Sequence, residues 1–122
     1  MINFQRLGKS FKYAFSGLQK VFKEEQNFRI HIIFALAILI LALFFQIRLW
    51  QVIILILVIS LIFILEIINS IFERLLDLLK PRMHQYVRDI KDMGAALVLV
   101  GAVAAVLVGI LIFLPYIIDL FF

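Results

Sequence analysis

From Met93 to Ile118 the chain runs 26 residues without a charged side chain. As an α-helix that run is about 39 Å long, more than the roughly 30 Å of a bilayer's hydrocarbon core. In lipid a segment has no water to satisfy its backbone N–H and C=O groups, so it must bond them internally, and a helix does so. Ile32–Phe45 is apolar over 14 residues. That falls short of the roughly 20 needed to cross, so its helix starts upstream and takes in Phe28 and Arg29, whose guanidinium can snorkel. Leu49–Leu65 is interrupted only by Gln51 and Ser60, with Trp50 suited to anchor at the interface. At 66% hydrophobic residues and a mean hydropathy of +1.15, the chain holds more apolar side chain than a soluble domain of its size can hide. The expected fold is all-α and integral to the membrane, a single domain. Residues 1–28 form an amphipathic surface helix and hinge, 29–46 span 1, 49–79 span 2 with a cytoplasmic extension, and 86–118 a lead-in and span 3. Pro81 is expected to break the second long helix.

Residues 1–28 lack the apolar core of a signal peptide. At about 100° per residue, Phe4, Leu7, Phe11, Phe15, Leu18 and Phe22 fall within roughly 80° of arc. Arg6, Lys9, Tyr13 and Lys20 lie opposite, the pattern of a helix resting in the membrane interface. Eleven of the 12 basic residues sit in 1–29 or in the connection after the second span, and only Arg48 sits in the first connection. That asymmetry places the N-terminus and the second connection in the cytoplasm and the C-terminus outside. The net charge of +4 belongs to these flanks, so it speaks for membrane topology rather than nucleic acid. Without cysteine, disulfides, thiolate zinc sites and thiol nucleophiles are excluded.

The second span runs into a polar stripe. In Glu66-Ile-Ile-Asn-Ser-Ile-Phe-Glu-Arg-Leu-Leu-Asp77, Glu66, Asn69, Glu73 and Asp77 lie within roughly 80° on a helix, with Ser70 at the edge. A charge at bilayer depth costs about 2.5–3.5 kcal/mol on insertion scales, so such a stripe should face protein, water or a bound cation. Its outer end also suits the polar face of a helix emerging into the cytoplasm. Two chemistries fit. Mg²⁺ takes one or two carboxylates plus phosphate oxygens, and Arg6, Lys9, Arg82 and Lys91 are basic partners for a polyphosphate. Proton- or cation-coupled transport by a small oligomer is the other use of a carboxylate such as Glu66. The chain has no Walker-type loop and no kinase-domain signature, so a nucleotide enzyme here is of another kind. Gly101, Ala105 and Gly109 form a ridge of small residues on the last span, suited to close helix packing.

The stripe resembles the signature of the bacterial diacylglycerol kinase/undecaprenol kinase family, Glu-x-hydrophobic-Asn-Ser/Thr-small-x-Glu-x-x-x-Asp. Glu25-Gln-Asn-Phe-Arg29 is similar to the family's Glu-x-x-Phe-Arg segment. Arg6, Lys9, Tyr13 and Gly17-Leu18 resemble its surface helix, and Lys91-Asp92-Met-Gly94 its Lys-Asp pair opening the last span. The resemblance implies a homotrimer of three-span subunits in the bacterial inner membrane. Such a protein moves the γ-phosphoryl group of MgATP onto the hydroxyl of undecaprenol or diacylglycerol at the cytoplasmic interface. It implies Glu66 as base, Asn69 as an orienting residue, and Glu25 and Glu73 as Mg²⁺ ligands that also serve the nucleotide. Arg6, Tyr13, Arg82, His84, Lys91 and Asp92 are the implied nucleotide contacts. It further implies a composite site, with the hinge of one subunit meeting the second span of a neighbour. Ile71 and Arg74 depart from the pattern, each standing where a small residue is common. Phe28-Arg29-Ile30-His31 is more similar to the undecaprenol branch, and His31 otherwise reads as an interfacial histidine.

Overall fold

A computed structural model describes residues 1–79, 82 and 84–122. Among them are four helices: α1 (Phe4–Glu24), α2 (Gln26–Phe45), α3 (Leu49–Asp77) and α4 (His84–Phe121). The last three are long and apolar enough to cross a membrane. The protein is therefore an all-helical membrane protein.

α1 starts where the Asn3 side chain accepts from the Arg6 amide at 3.2 Å, filling one orphan N–H of the first turn. It ends at Glu25, whose extended backbone (φ −103°, ψ 108°) separates it from α2 by a single residue. The Arg29 guanidinium reaches back from α2 and donates to the carbonyls of Phe22 at 2.7 Å and Lys23 at 2.8 Å. It thereby satisfies two acceptors that the end of α1 leaves open. α2 begins at Gln26, so Phe28 and Arg29 are inside it. Its end is a tight turn with Gln46 in the left-handed region at φ 50°. α3 then runs for 29 residues and ends at Asp77. The break expected at Pro81 lies outside the described residues, as do Lys80 and Met83. α4 carries Pro115 within its last turns.

α3 packs most extensively on α4, less on α2, and α1 meets chiefly α2. The core lies toward the α2–α3 turn, where Ala42, Ile47, Leu55, Ile112 and Phe113 are buried together. At that end Tyr116 donates to Gln51 Oε1 at 2.6 Å, and the Arg48 amide donates to the same oxygen at 3.0 Å, tying α4 to the start of α3. At the other end Phe28 of α2 meets Phe63 of α3, ring centres 5.2 Å apart. Lys91 of α4 pairs with Asp77 of α3 at 2.8 Å, and Arg74 of α3 pairs with Glu24 of α1. In each spanning helix only 17% of the most apolar window is buried within the chain. Faces this apolar and this open belong against lipid or further protein.

The small-residue ridge on α4 divides in its use. A Cβ on Gly101 would stand 2.5 Å from Leu65 Cδ1, so Gly101 is where α4 closes on α3. Gly109 has nothing within 4 Å of where its Cβ would be.

A candidate active site at the end of an apolar cavity

Glu66 is 3% exposed, deep between helices. The 3.6-residue period that puts it on one face with Asn69 and Glu73 turns that face toward α2 and α4 rather than outward. From α2, His31 brings Nδ1 to 2.9 Å from Glu66 Oε1, an ion-pair distance without a well-aligned hydrogen bond. From the hinge, Glu25 Oε1 accepts from the buried Ser70 hydroxyl at 3.1 Å. The extended conformation of Glu25 lets the chain turn there and lays its half-buried carboxylate against α3. Glu25 and Glu73 both lie within electrostatic reach of Glu66. Asn69 Oδ1 is buried without a partner and presses against the backbone of α4 at Gly94, in space a Cβ there would need.

Unpartnered buried polar atoms are uncommon in finished packing. Here Asn69 Oδ1 is one of them, while His31 Nδ1 and Glu66 Oε1 face each other. His31 also borders an apolar cavity of about 530 Å³ between α2, α3 and α4. The cavity extends past Ile38, Leu55, Ala105 and Gly109 to Ile117, most of the length of the spans. His31 thus stands between the Glu66 carboxylate and one end of a cavity wide enough for a hydrocarbon chain.

Glu66, Asn69, Glu25 and Glu73 are brought together around this point. Lys91 sits farther along, on Asp77, with Asp92 exposed beside it. Arg82 and His84 are exposed at the α3–α4 connection. Arg6 and Tyr13 stand exposed on α1, and among the described residues no side-chain hydrogen bond or ion pair joins either to α3 or α4. Among the described residues no three His, Asp or Glu side chains form a group able to hold a metal. The donors present are carboxylates from two elements, Glu25 and Glu73, which fit a hard cation that fills its other positions with phosphate and water. Glu25 meets Ser70 within one chain. That contact lays the hinge carboxylate against the polar end of α3.

Three contributors were not singled out from the sequence: His31 as the partner of Glu66, Ser70 as the donor to Glu25, and Gly94 as the seat of Asn69. For His31 a depth count carries a signal. It lies 15 residues before Gln46 and Glu66 lies 18 after Arg48. Across a tight turn those are similar depths, about 23 and 27 Å at 1.5 Å per residue.

Residues 12–113 match the prokaryotic diacylglycerol kinase family. The chain belongs to that family. It is 34% identical over 110 residues to the undecaprenol kinase of Bacillus subtilis (strain 168), covering 90% of this chain and 89% of that protein. It is 35% identical over 112 residues to the diacylglycerol kinase of Synechocystis sp., covering 91% of this chain and 64% of that one. It is 30% identical over 104 residues to the diacylglycerol kinase of Escherichia coli (strain K12), covering 85% of both. The family match spans the hinge, the α3 stripe and the start of α4, so it covers Glu25, Glu66, Asn69, Glu73, Lys91 and Asp92. Arg6 lies before it.

Proposed function

We propose that this membrane lipid kinase transfers the γ-phosphoryl group of ATP to the hydroxyl of a membrane lipid, with Mg²⁺, at the cytoplasmic interface. The observation that carries the reading is the buried Glu66 carboxylate, one helical turn from the unpartnered Asn69 oxygen and paired with His31, which lines an apolar cavity. A lipid alcohol laid along that cavity presents its hydroxyl at Glu66. Glu66 accepts the hydroxyl proton as the lipid oxygen attacks the γ-phosphorus, and ADP leaves with the electrons of the broken P–O bond. Asn69 orients the reacting groups. Glu25 and Glu73 would hold the cation, which when bound offsets phosphate charge. Arg6, Tyr13, Arg82, His84, Lys91 and Asp92 hold the nucleotide.

Undecaprenol stands slightly ahead of diacylglycerol as acceptor. It is supported by the Phe28-Arg29-Ile30-His31 segment and by the name of the Bacillus subtilis relative, while other relatives are named for diacylglycerol. α1 rests on the membrane surface through Phe4, Leu7, Phe11 and Phe15, all exposed on one face. The N-terminus and the site face the cytoplasm, and the C-terminus faces outward, by the distribution of basic residues. The protein works as a homotrimer, which would cover apolar faces the single chain leaves open. The test is incubation of purified protein with radiolabelled ATP and parallel undecaprenol and diacylglycerol acceptors. Labelled lipid is expected in both arms with more in the undecaprenol arm, and no labelled lipid in either arm contradicts the reading.

A further inference from the structure

We infer that His31 is the positioning residue for Glu66, fixing which carboxylate oxygen meets the lipid hydroxyl. The inference rests on the reading of Glu66 as the base. Its ground is the arrangement of charge around Glu66. Two acids, Glu25 and Glu73, act on it from the hinge and from farther along α3. The nearby cations of the described residues are directed elsewhere: Arg29 to the carbonyls ending α1, Arg74 to Glu24, Lys91 to Asp77. His31 alone among the described residues brings a nitrogen to ion-pair distance, Nδ1 at 2.9 Å from Oε1.

A carboxylate pressed by two like charges has no reason to keep one orientation unless an opposite or donating group holds it. His31 comes from a different helix, so its hold spans the α2–α3 interface and sets Glu66 relative to the cavity. With Oε1 engaged by Nδ1, the other oxygen is the one left for the substrate. The same ring lines the cavity, at the boundary between its apolar wall and the carboxylate. His31 therefore sits where the lipid chain ends and the chemistry starts. Its polar contact is with the Glu66 carboxylate, so its effect passes through Glu66.

Three single variants and one double variant test this in the purified full chain with lipid acceptor. His31→Leu removes the nitrogen. His31→Asn places an amide NH₂ where Nδ1 stood, and His31→Gln carries it out to the Nε2 position. Loss of the positioning contact is expected to lower kcat about 100-fold in His31→Leu, the scale of a misplaced catalytic group, with KM for MgATP unchanged. His31→Asn should regain most of the loss and His31→Gln little. The double variant His31→Leu/Glu66→Gln should be no slower than Glu66→Gln alone, because the two act as one unit.

Wild-type kcat in His31→Leu, equal rescue by Asn and Gln, or multiplicative losses in the double variant would overturn the inference. Should thermal melting show His31→Leu unfolded, the Asn and Gln pair decides by the same criterion. If Glu66→Gln is itself fully active, the assignment of Glu66 as base fails and takes the inference with it. If Glu66→Gln is dead and His31→Leu is not, only the role of His31 fails.

Discussion

Asn69 holds its place because residue 94 has no side chain. A methyl group there would collide with Asn69 Oδ1, the free end of a side chain that can swing aside. Gly94→Ala is therefore expected to leave thermal stability near wild type, since alanine favours the helix by up to about 1 kcal/mol over glycine. Turnover should still fall about 10- to 100-fold as the amide is displaced, because small misplacements are costly at a reacting centre. Melting and kcat measured on the same preparation check this, and full activity would detach Asn69 from the chemistry. Glu25→Gln and Glu73→Gln should instead raise the Mg²⁺ concentration needed for half-maximal activity, which a Mg²⁺ titration reads directly. An unchanged requirement in both would remove them as cation ligands. Glu66, Asn69 and Glu73 could be grouped from the sequence because they share one helix and its period. His31 and Gly94 could not, since they come from α2 and α4. Both helices are apolar nearly all round, so no periodicity says how either is rotated against α3.

Among the helices, the contact of α3 with α4 is set by how closely their backbones approach at Gly101. Gly101→Leu would drive a branched side chain into Leu65, 2.5 Å from the first atom added. Overpacking of this kind costs about 1–3 kcal/mol, so the melting temperature in detergent should drop. Gly109→Leu meets no atom within 4 Å of its Cβ and projects into the cavity. It should melt as the wild type does while raising KM for the lipid acceptor. A Gly109→Leu protein with unchanged lipid KM would separate the cavity from the substrate. The ridge was visible in the sequence as small residues four apart. Its division into a packing position and a cavity position was not, because spacing is the same for a helix neighbour and for empty volume.

For the whole molecule, the spans were legible because apolar length admits only one solution in lipid. The placement of the hinge was less so. Glu25 meets Ser70 in its own chain because a single extended residue joins α1 to α2. If each site joins the hinge of one subunit to the second span of a neighbour, as the family resemblance implies, mixed assemblies of Glu25→Gln and Glu66→Gln subunits should regain partial activity, since some sites then hold both native carboxylates. No recovery in assemblies shown to be mixed would mean that each site is built within one chain. The central claim is that Glu66 takes the proton from a lipid hydroxyl and does not bind the nucleotide. The most direct measurement compares γ-phosphoryl transfer from radiolabelled ATP to lipid by wild type and Glu66→Gln, with ATP affinity measured alongside. Loss of the base should slow transfer by about 10²- to 10⁴-fold and leave ATP affinity unchanged; near-normal transfer, or an equal loss of ATP binding, would contradict it.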